Sequence, residues 1–196
     1  MSSHRAVFLD RDGVINALVA DPQTGRPESP LRAADVALLS GVGEALRELA
    51  AAGFMLVGAS NQPAAAKGIV SQAQLVGVQE RVLALLAAEG VVFDDFRICW
   101  HHPEGTDPEL RAACECRKPA PGMLLDAARA HDISLASSWM VGDSSVDVLA
   151  GSAAGTRTVL IEHRASAHRR QQKSPATLIA ADLPAAVRLL FAYDGR

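Results

Sequence analysis

The sequence predicts a three-layer, Rossmann-like α/β domain built on a mostly parallel sheet. Three observations predict it. Short apolar runs suited to buried strands alternate with helical patterns along the chain, the order that gives right-handed strand–helix–strand units. A length of 196 residues suits one domain of ordinary size, so 1–196 is expected to be a single domain. Hydrophobic residues make up 49% of the chain and aromatics only 4%. Alanine and leucine therefore supply the core, and there is enough of it to need no staples.

The elements follow in order. Ala6–Leu9 reads as a buried strand ending at Asp10. Gly41–Ala52 reads as a helix with Val42, Ala45, Leu46 and Leu49 on one face and Gly53 as its stop. Phe54–Ala59 is the second strand. Ser71 with Gln74 suggests a capping box, opening a helix that aligns Leu75, Val78, Val82, Leu85 and Leu86 before Gly90. Phe96–Cys99 is the third strand. Pro121 suits the first turn of a helix to about His131. Trp139–Gly142 is the fourth strand, followed by a helix to Ala154 and Gly155. Thr158–Ile161 is the fifth strand, and Leu183–Phe191 is a terminal helix. Two stretches lack regular structure: about 16–40, expected to be a flap, and His101–Pro121, most of which falls in a cysteine-bearing loop of about 99–118. Loops this long in a compact domain tend to serve function.

Composition narrows the function. The net charge of −3 lacks the basic excess of a nucleic-acid binder. The N-terminal residues show no secretory pattern, and no apolar run reaches membrane-spanning length. A cytoplasmic monomer acting on a small molecule, with neither nucleic acid nor membrane as partner, is expected.

In parallel sheets, ligands bind beyond the carboxyl ends of the strands. The polar clusters fall there: Asp10 and Asp12 after strand one, Ser60 and Asn61 after strand two, Asp143 after strand four. Asp10-Arg11-Asp12-Gly13 could be a polar turn. It could also be a nucleophile with an acid/base neighbour, since an aspartate can attack phosphorus and adjacent carboxylates push one pKa upward. Asp143 with Asp10 forms a hard oxygen site suited to magnesium, which would offset the repulsion between acidic groups and a phosphate dianion. Ser60 and Asn61 can donate to phosphate, and Lys118 and Arg117 can contribute positive charge. Taken singly, these four could be a helix cap or solvated surface groups.

All three cysteines lie between Cys99 and Cys116. Cys99-x-His101, twelve residues, then Cys114-x-Cys116 supplies four ligands for structural zinc; His102 competes with His101 for the fourth place. The alternative is three buried thiols beside a loop histidine. Zinc here would order the loop that runs directly into Arg117 and Lys118.

These segments resemble the haloacid dehalogenase (HAD) superfamily of phosphatases over roughly 5–162. The resemblance implies Asp10 as nucleophile, Asp12 as general acid/base, and Lys118 as stabiliser of phosphate and nucleophile. It implies magnesium on Asp10, Asp143 and the Asp12 backbone carbonyl, with Asp147 orienting Lys118. Within it, Cys99-Trp100-His101-His102-Pro103-Glu104-Gly105 and Cys114-Glu115-Cys116-Arg117-Lys118-Pro119 are similar to the heptose 1,7-bisphosphate 7-phosphatase family. That family implies a substrate pocket including Ser60, Asn61, Gln62, Arg117 and Lys118, and no large cap domain. Histidinol-phosphate phosphatases share the zinc loop and remain an alternative, as do other small sugar-phosphate phosphatases. A zinc-binding module or a receiver-like phospho-aspartate switch is the non-enzymatic alternative; Asp12 and the zinc loop weigh against the receiver. Two departures stand out: Pro63-Ala64 where the family continues Ser-Gly, and Ser144 where it often has Lys.

Overall fold

The computed structural model describes residues 4–21, 24–170 and 175–195. The chain runs β1 (Arg5–Leu9), a small hairpin of β2 (Val19–Ala20) and β3 (Pro27–Glu28), α1 (Val42–Ala51), β4 (Phe54–Asn61), α2 (Gln72–Ala88) and β5 (Asp95–Cys99). It continues through α3 (Gly122–His131), β6 (Trp139–Gly142), α4 (Ser145–Ala154), β7 (Arg157–Ile161), β8 (Leu178–Ala180) and α5 (Leu183–Tyr193). Six strands form one sheet in the order β5-β4-β1-β6-β7-β8, and every pairing in it is parallel.

Alternation along the strands makes the three layers. In β1, Val7 and Leu9 face one core and Ala6 and Phe8 the other, as a period of two requires. The first face packs under α1, α2 and α5 through Leu46, Leu49, Val82, Leu86, Val187 and Leu190. The second packs under α3 through Met123, Leu124 and Ala127. Each fully buried leucine here stabilises the fold by roughly 1.5–3 kcal/mol. Trp139 is wholly buried and packs edge-on against Tyr193 at 5.3 Å, the packing role its sequence context suggests.

Three features differ from the sequence reading. β8 is a strand to which the sequence reading assigns no element, because three residues are too few to show a period; the sheet recruits them by pairing with β7. The 16–40 segment carries the β2–β3 hairpin and a short 3-10 turn, Ala33–Asp35. Ser71 caps α2 by accepting from the Gln74 amide, but Gln74 does not reciprocate. Its side chain donates to the Leu31 carbonyl at 2.9 Å, tying the flap to α2. A reciprocal box forms instead at α4, between Ser144 and Asp147.

The chain leaves β1 for β4 on one side and later returns to β6 on the other. The crevice at that switch lies beyond the carboxyl ends of β1 and β6, where such sheets bind ligands. No helix among the described residues is long and apolar enough to cross a membrane.

Candidate active site

Asp10 is the first residue past β1. Its amide donates to the Val141 carbonyl at 2.9 Å, so the sheet fixes its position. Lys118 reaches it from the far end of the 99–118 loop. The buried ammonium donates to Asp10 Oδ1 at 2.9 Å and to the Ala59 carbonyl at 2.6 Å, and pairs with Asp147 Oδ1 at 2.6 Å. Burial alone would lower the Lys118 pKa, but Asp10 and Asp147 outweigh it and hold the lysine charged. Asp147 is itself fixed: its other oxygen accepts from the Ser144 amide and hydroxyl. Gly142 permits this packing, because a Cβ there would lie 2.1 Å from the Asp147 Cβ.

Asp12 is held differently. Its carboxylate accepts from the Arg11 guanidinium at 3.1 and 3.0 Å, from Asn16 at 2.9 Å and from Gln62 at 2.7 Å. Arg11 is completely buried and also reaches Gln79. Burial works to raise the Asp12 pKa, yet Arg11, Gln62 and Asn16 together bring it below its ordinary value. The upward push expected between neighbouring carboxylates therefore falls elsewhere. Burial, reinforced by Asp147 and Asp12, raises Asp10 despite Lys118. Burial and the charges of Asp10 and Asp147 push Asp143 up to about 8.

Asp143 follows β6 and is wholly buried. Neither of its carboxylate oxygens has a hydrogen-bond partner of ordinary geometry, and it lies with Asp10 and Asp147 in a compact acidic group. A buried, unpartnered carboxylate is costly unless a cation sits beside it. The donor set fits magnesium, which favours carboxylate and carbonyl oxygens; Asp10, Asp143 and the Asp12 carbonyl are the atoms that would hold it. Gly13 leaves room for this arrangement. Its φ is +92°, and a Cβ there would sit 2.0 Å from Asp143 Oδ2.

The thiol cluster forms on the loop after β5. Sulfur–sulfur distances are 3.6 Å (Cys99–Cys114), 3.1 Å (Cys99–Cys116) and 3.3 Å (Cys114–Cys116). His101 Nδ1 lies 3.4 Å from the Cys116 sulfur. These spacings approach the ~3.8 Å edge of a tetrahedron with ~2.3 Å zinc–sulfur bonds, and the cluster fits a structural zinc site. His101 faces the thiols, whereas His102 accepts from the Glu104 amide; this separates the two histidines that spacing left open. Burial pushes Cys99 and Cys116 above the ordinary thiol value, an unfavourable state that a bound cation reverses.

Ser60, Asn61, Arg117 and Lys118 line a cavity of about 260 Å³ with Asp10, Asp12, Pro63, Ser144, Asp147, Glu28, Ser29 and Arg169. The Asn61 amide brackets the Lys118 backbone, donating to its carbonyl at 3.0 Å and accepting from its amide at 3.1 Å. Gln62 is spent on Asp12 and on Ser60 Oγ. Arg117 donates to the His101 carbonyl at 3.3 Å, which ties it to the thiol cluster. Pro63 lines the cavity while its carbonyl accepts from Lys67.

The basic run 163–170 reads from sequence as a solvated loop, with Arg164 the residue within reach of a phosphate. The structure instead brings Arg169 and Arg170 inward. Arg169 donates to the Asp12 carbonyl at 3.2 Å, and Arg170 to the Asp143 carbonyl at 3.4 Å. Nothing local marks Arg169, whose partner Asp12 stands far off in the sequence; Arg170 is also held locally by Ser166 and the His163 carbonyl.

The comparisons with known proteins agree with this geometry. A HAD-hydrolase-like family model matches residues 115–186. A relative from Photorhabdus laumondii is 37% identical over 186 residues, spanning 93% of this chain and 95% of that protein. One from Rhodopseudomonas palustris is 40% identical over 150 residues, or 76% and 79% of the two chains. Both carry the name D-glycero-beta-D-manno-heptose-1,7-bisphosphate 7-phosphatase. The crystal structure of D,D-heptose 1,7-bisphosphate phosphatase from B. bronchiseptica, complexed with magnesium and phosphate, is similar at a TM-score of 0.79 and 30% identity. It covers 96% of this chain and 99% of its own.

Proposed function

The chain belongs to the D-glycero-beta-D-manno-heptose-1,7-bisphosphate 7-phosphatase family of HAD-like hydrolases, and from that premise we propose that it removes the 7-phosphate of the heptose bisphosphate through Asp10. The observation that carries the reading is Lys118, buried between Asp10 and Asp147, with the Asp143 carboxylate beside them lacking a hydrogen-bond partner. The names of the relatives specify the β anomer, and we propose it here too; kinetics on the α and β bisphosphates compare the two.

The Asp10 carboxylate attacks phosphorus as the bond to the sugar oxygen breaks. Asp12 passes a proton to the departing oxygen, then takes one from the water that hydrolyses the aspartyl-phosphate. Resting Asp12 sits low because of Arg11; the arriving phosphate dianion favours its protonated form. Lys118 fixes Asp10 and offsets charge on the transferred group. Ser60 donates to a phosphate oxygen, and Asn61 and Gln62 act through Lys118 and Asp12. Asp10, Asp143 and the Asp12 carbonyl would hold magnesium, which would supply the charge that offsets repulsion between a phosphate dianion and this acidic crevice. Arg117, steadied by the zinc loop, adds a charged contact to the phosphate being transferred. The absence of a cap among the described residues leaves room for a substrate with a second phosphate. The working unit is a cytoplasmic monomer acting on a small sugar, consistent with a net charge of −3; sedimentation checks its size.

The test is magnesium-dependent phosphate release from heptose 1,7-bisphosphate, histidinol phosphate and phenyl phosphate. The heptose compound is expected to have the highest kcat/KM, and Asp10→Asn to lower turnover by on the order of 10⁴-fold or more. Retained turnover in that variant sinks the nucleophile assignment.

A further inference from the structure

We propose that Arg169 is a specificity-determining residue that binds the phosphate of the substrate left uncleaved; this rests on the bisphosphate reading above. Three cationic side chains line the cavity: Arg117, Lys118 and Arg169. Lys118 is consumed by Asp10, Asp147 and the Ala59 carbonyl. Arg117 stands on the thiol-loop wall, held by His101. Among the described residues Arg169 is the remaining cation of the lining, and it stands beside the flap residues Ser29 and Glu28.

Its contacts are numerous but long. One nitrogen lies 3.2 Å from the Asp12 carbonyl and 3.8 Å from Asp143 Oδ2. The other lies 3.4 Å from Ser29 Oγ and 3.7 Å from Glu28 Oε2. A guanidinium–phosphate pair closes to about 2.7–2.9 Å with two parallel bonds, so a phosphate at the rim offers Arg169 better partners than it holds. Two of its present acceptors, the Asp12 carbonyl and Asp143, are also those assigned to magnesium. A metal held there would compete with Arg169 for them and would free the guanidinium for the cavity, while Ser29 and Glu28 hold it beside the flap.

The residue after Asp143 is Ser144. The Ser144 amide and hydroxyl are both spent on Asp147, so that position offers the substrate no charge. Arg169 brings charge to the cavity from another segment.

The experiment compares wild type with Arg169→Ala and Arg169→Lys, and has two readouts. In kinetics at saturating magnesium, Arg169→Ala is expected to raise KM for heptose 1,7-bisphosphate at least about tenfold. Its loss in kcat/KM should be at least about ten times larger on the bisphosphate than on phenyl phosphate, with Arg169→Lys recovering part. In calorimetry without substrate, Arg169→Ala should bind magnesium about two- to tenfold more tightly, because a competing cation is gone. Equal losses on the two substrates, or magnesium binding unchanged or weakened, overturn the proposal. A wild-type protein that hydrolyses phenyl phosphate but not the heptose bisphosphate overturns the parent reading and this one together. Turnover of the bisphosphate unaffected by Arg169→Ala overturns this one alone.

Discussion

The carboxylate cluster draws Asp10 from the end of β1 and Asp143 and Asp147 from the end of β6 and the first turn of α4, whereas the thiol cluster draws all four ligands from the single stretch between Cys99 and Cys116. The first is buried in the sheet crevice and its geometry is set by backbone pairing. The second is half-exposed and packs only one edge, through Cys99 and its neighbours, onto the core below α3. A site assembled across a sheet inherits the rigidity of the whole domain. A site on a loop must bring its own constraint, and a bound metal is the compact way to do so. The two meet at one peptide bond, between Arg117 and Lys118.

The largest effect separating the two regions should come from Lys118→Met. Removing the ammonium leaves Asp10 and Asp147 buried without their counter-charge, a loss of about 3–5 kcal/mol readable in urea unfolding, and activity disappears with it. If stability falls by less than about 1 kcal/mol, the sheet does not hold these carboxylates as tightly as described. Cys116→Ala should act the other way. The unfolding transition of the sheet stays cooperative, zinc content drops, and kcat/KM falls about 10–100-fold because Arg117 and Lys118 lose their anchor. Full activity in a zinc-depleted variant would uncouple the loop from the site.

The smallest effect concerns the clasp behind the loop. Asp95 at the start of β5 accepts from Arg97 and lies 2.9 Å from His131 at the end of α3, joining the two elements that flank the thiol loop. Burial works to raise the Asp95 pKa, but Arg97 and His131 bring it below its ordinary value. Its contribution is present above the unfolded carboxyl value near 4 and is lost as pH falls through the lower folded one. Solvent screening keeps it under about 1 kcal/mol. Melting curves of wild type and Asp95→Asn should differ slightly and constantly from pH 7 to 5, then converge below about pH 4. A gap that widens with acidity would contradict the clasp.

How far the sequence discloses the molecule follows the same division. Asp10, Ser60 and Asp143 were legible because each follows a run of buried apolar residues, and parallel sheets place such residues together. The thiol loop was legible from spacing alone, since its ligands are near in sequence. What stayed hidden depends on distant partners. The Arg169 contact with Asp12 spans 157 residues. Asn61 reads as a phosphate donor and Gln62 as part of the substrate pocket, yet the fold turns them toward Lys118 and Asp12. Gln74 reads as half of a capping box and serves Leu31 instead. In each case the side chain offers the right hydrogen-bonding group, and only the packed structure decides which partner it meets. β8 was missed for a different reason: its three residues are too short to carry a period, and β7 supplies the ordering.

Lys118 bears on the order in which the molecule assembles. Its ammonium binds Asp10 across 108 residues and Ala59 across 59, and Asp147 on a third segment. Contacts this remote close late, after the entropy of the intervening chain has been lost. The ammonium is also left without adequate partners until all three segments have docked. Recovery of phosphatase activity during refolding should therefore trail the return of helix and sheet signals, making turnover a gauge of the last folding event rather than of the first.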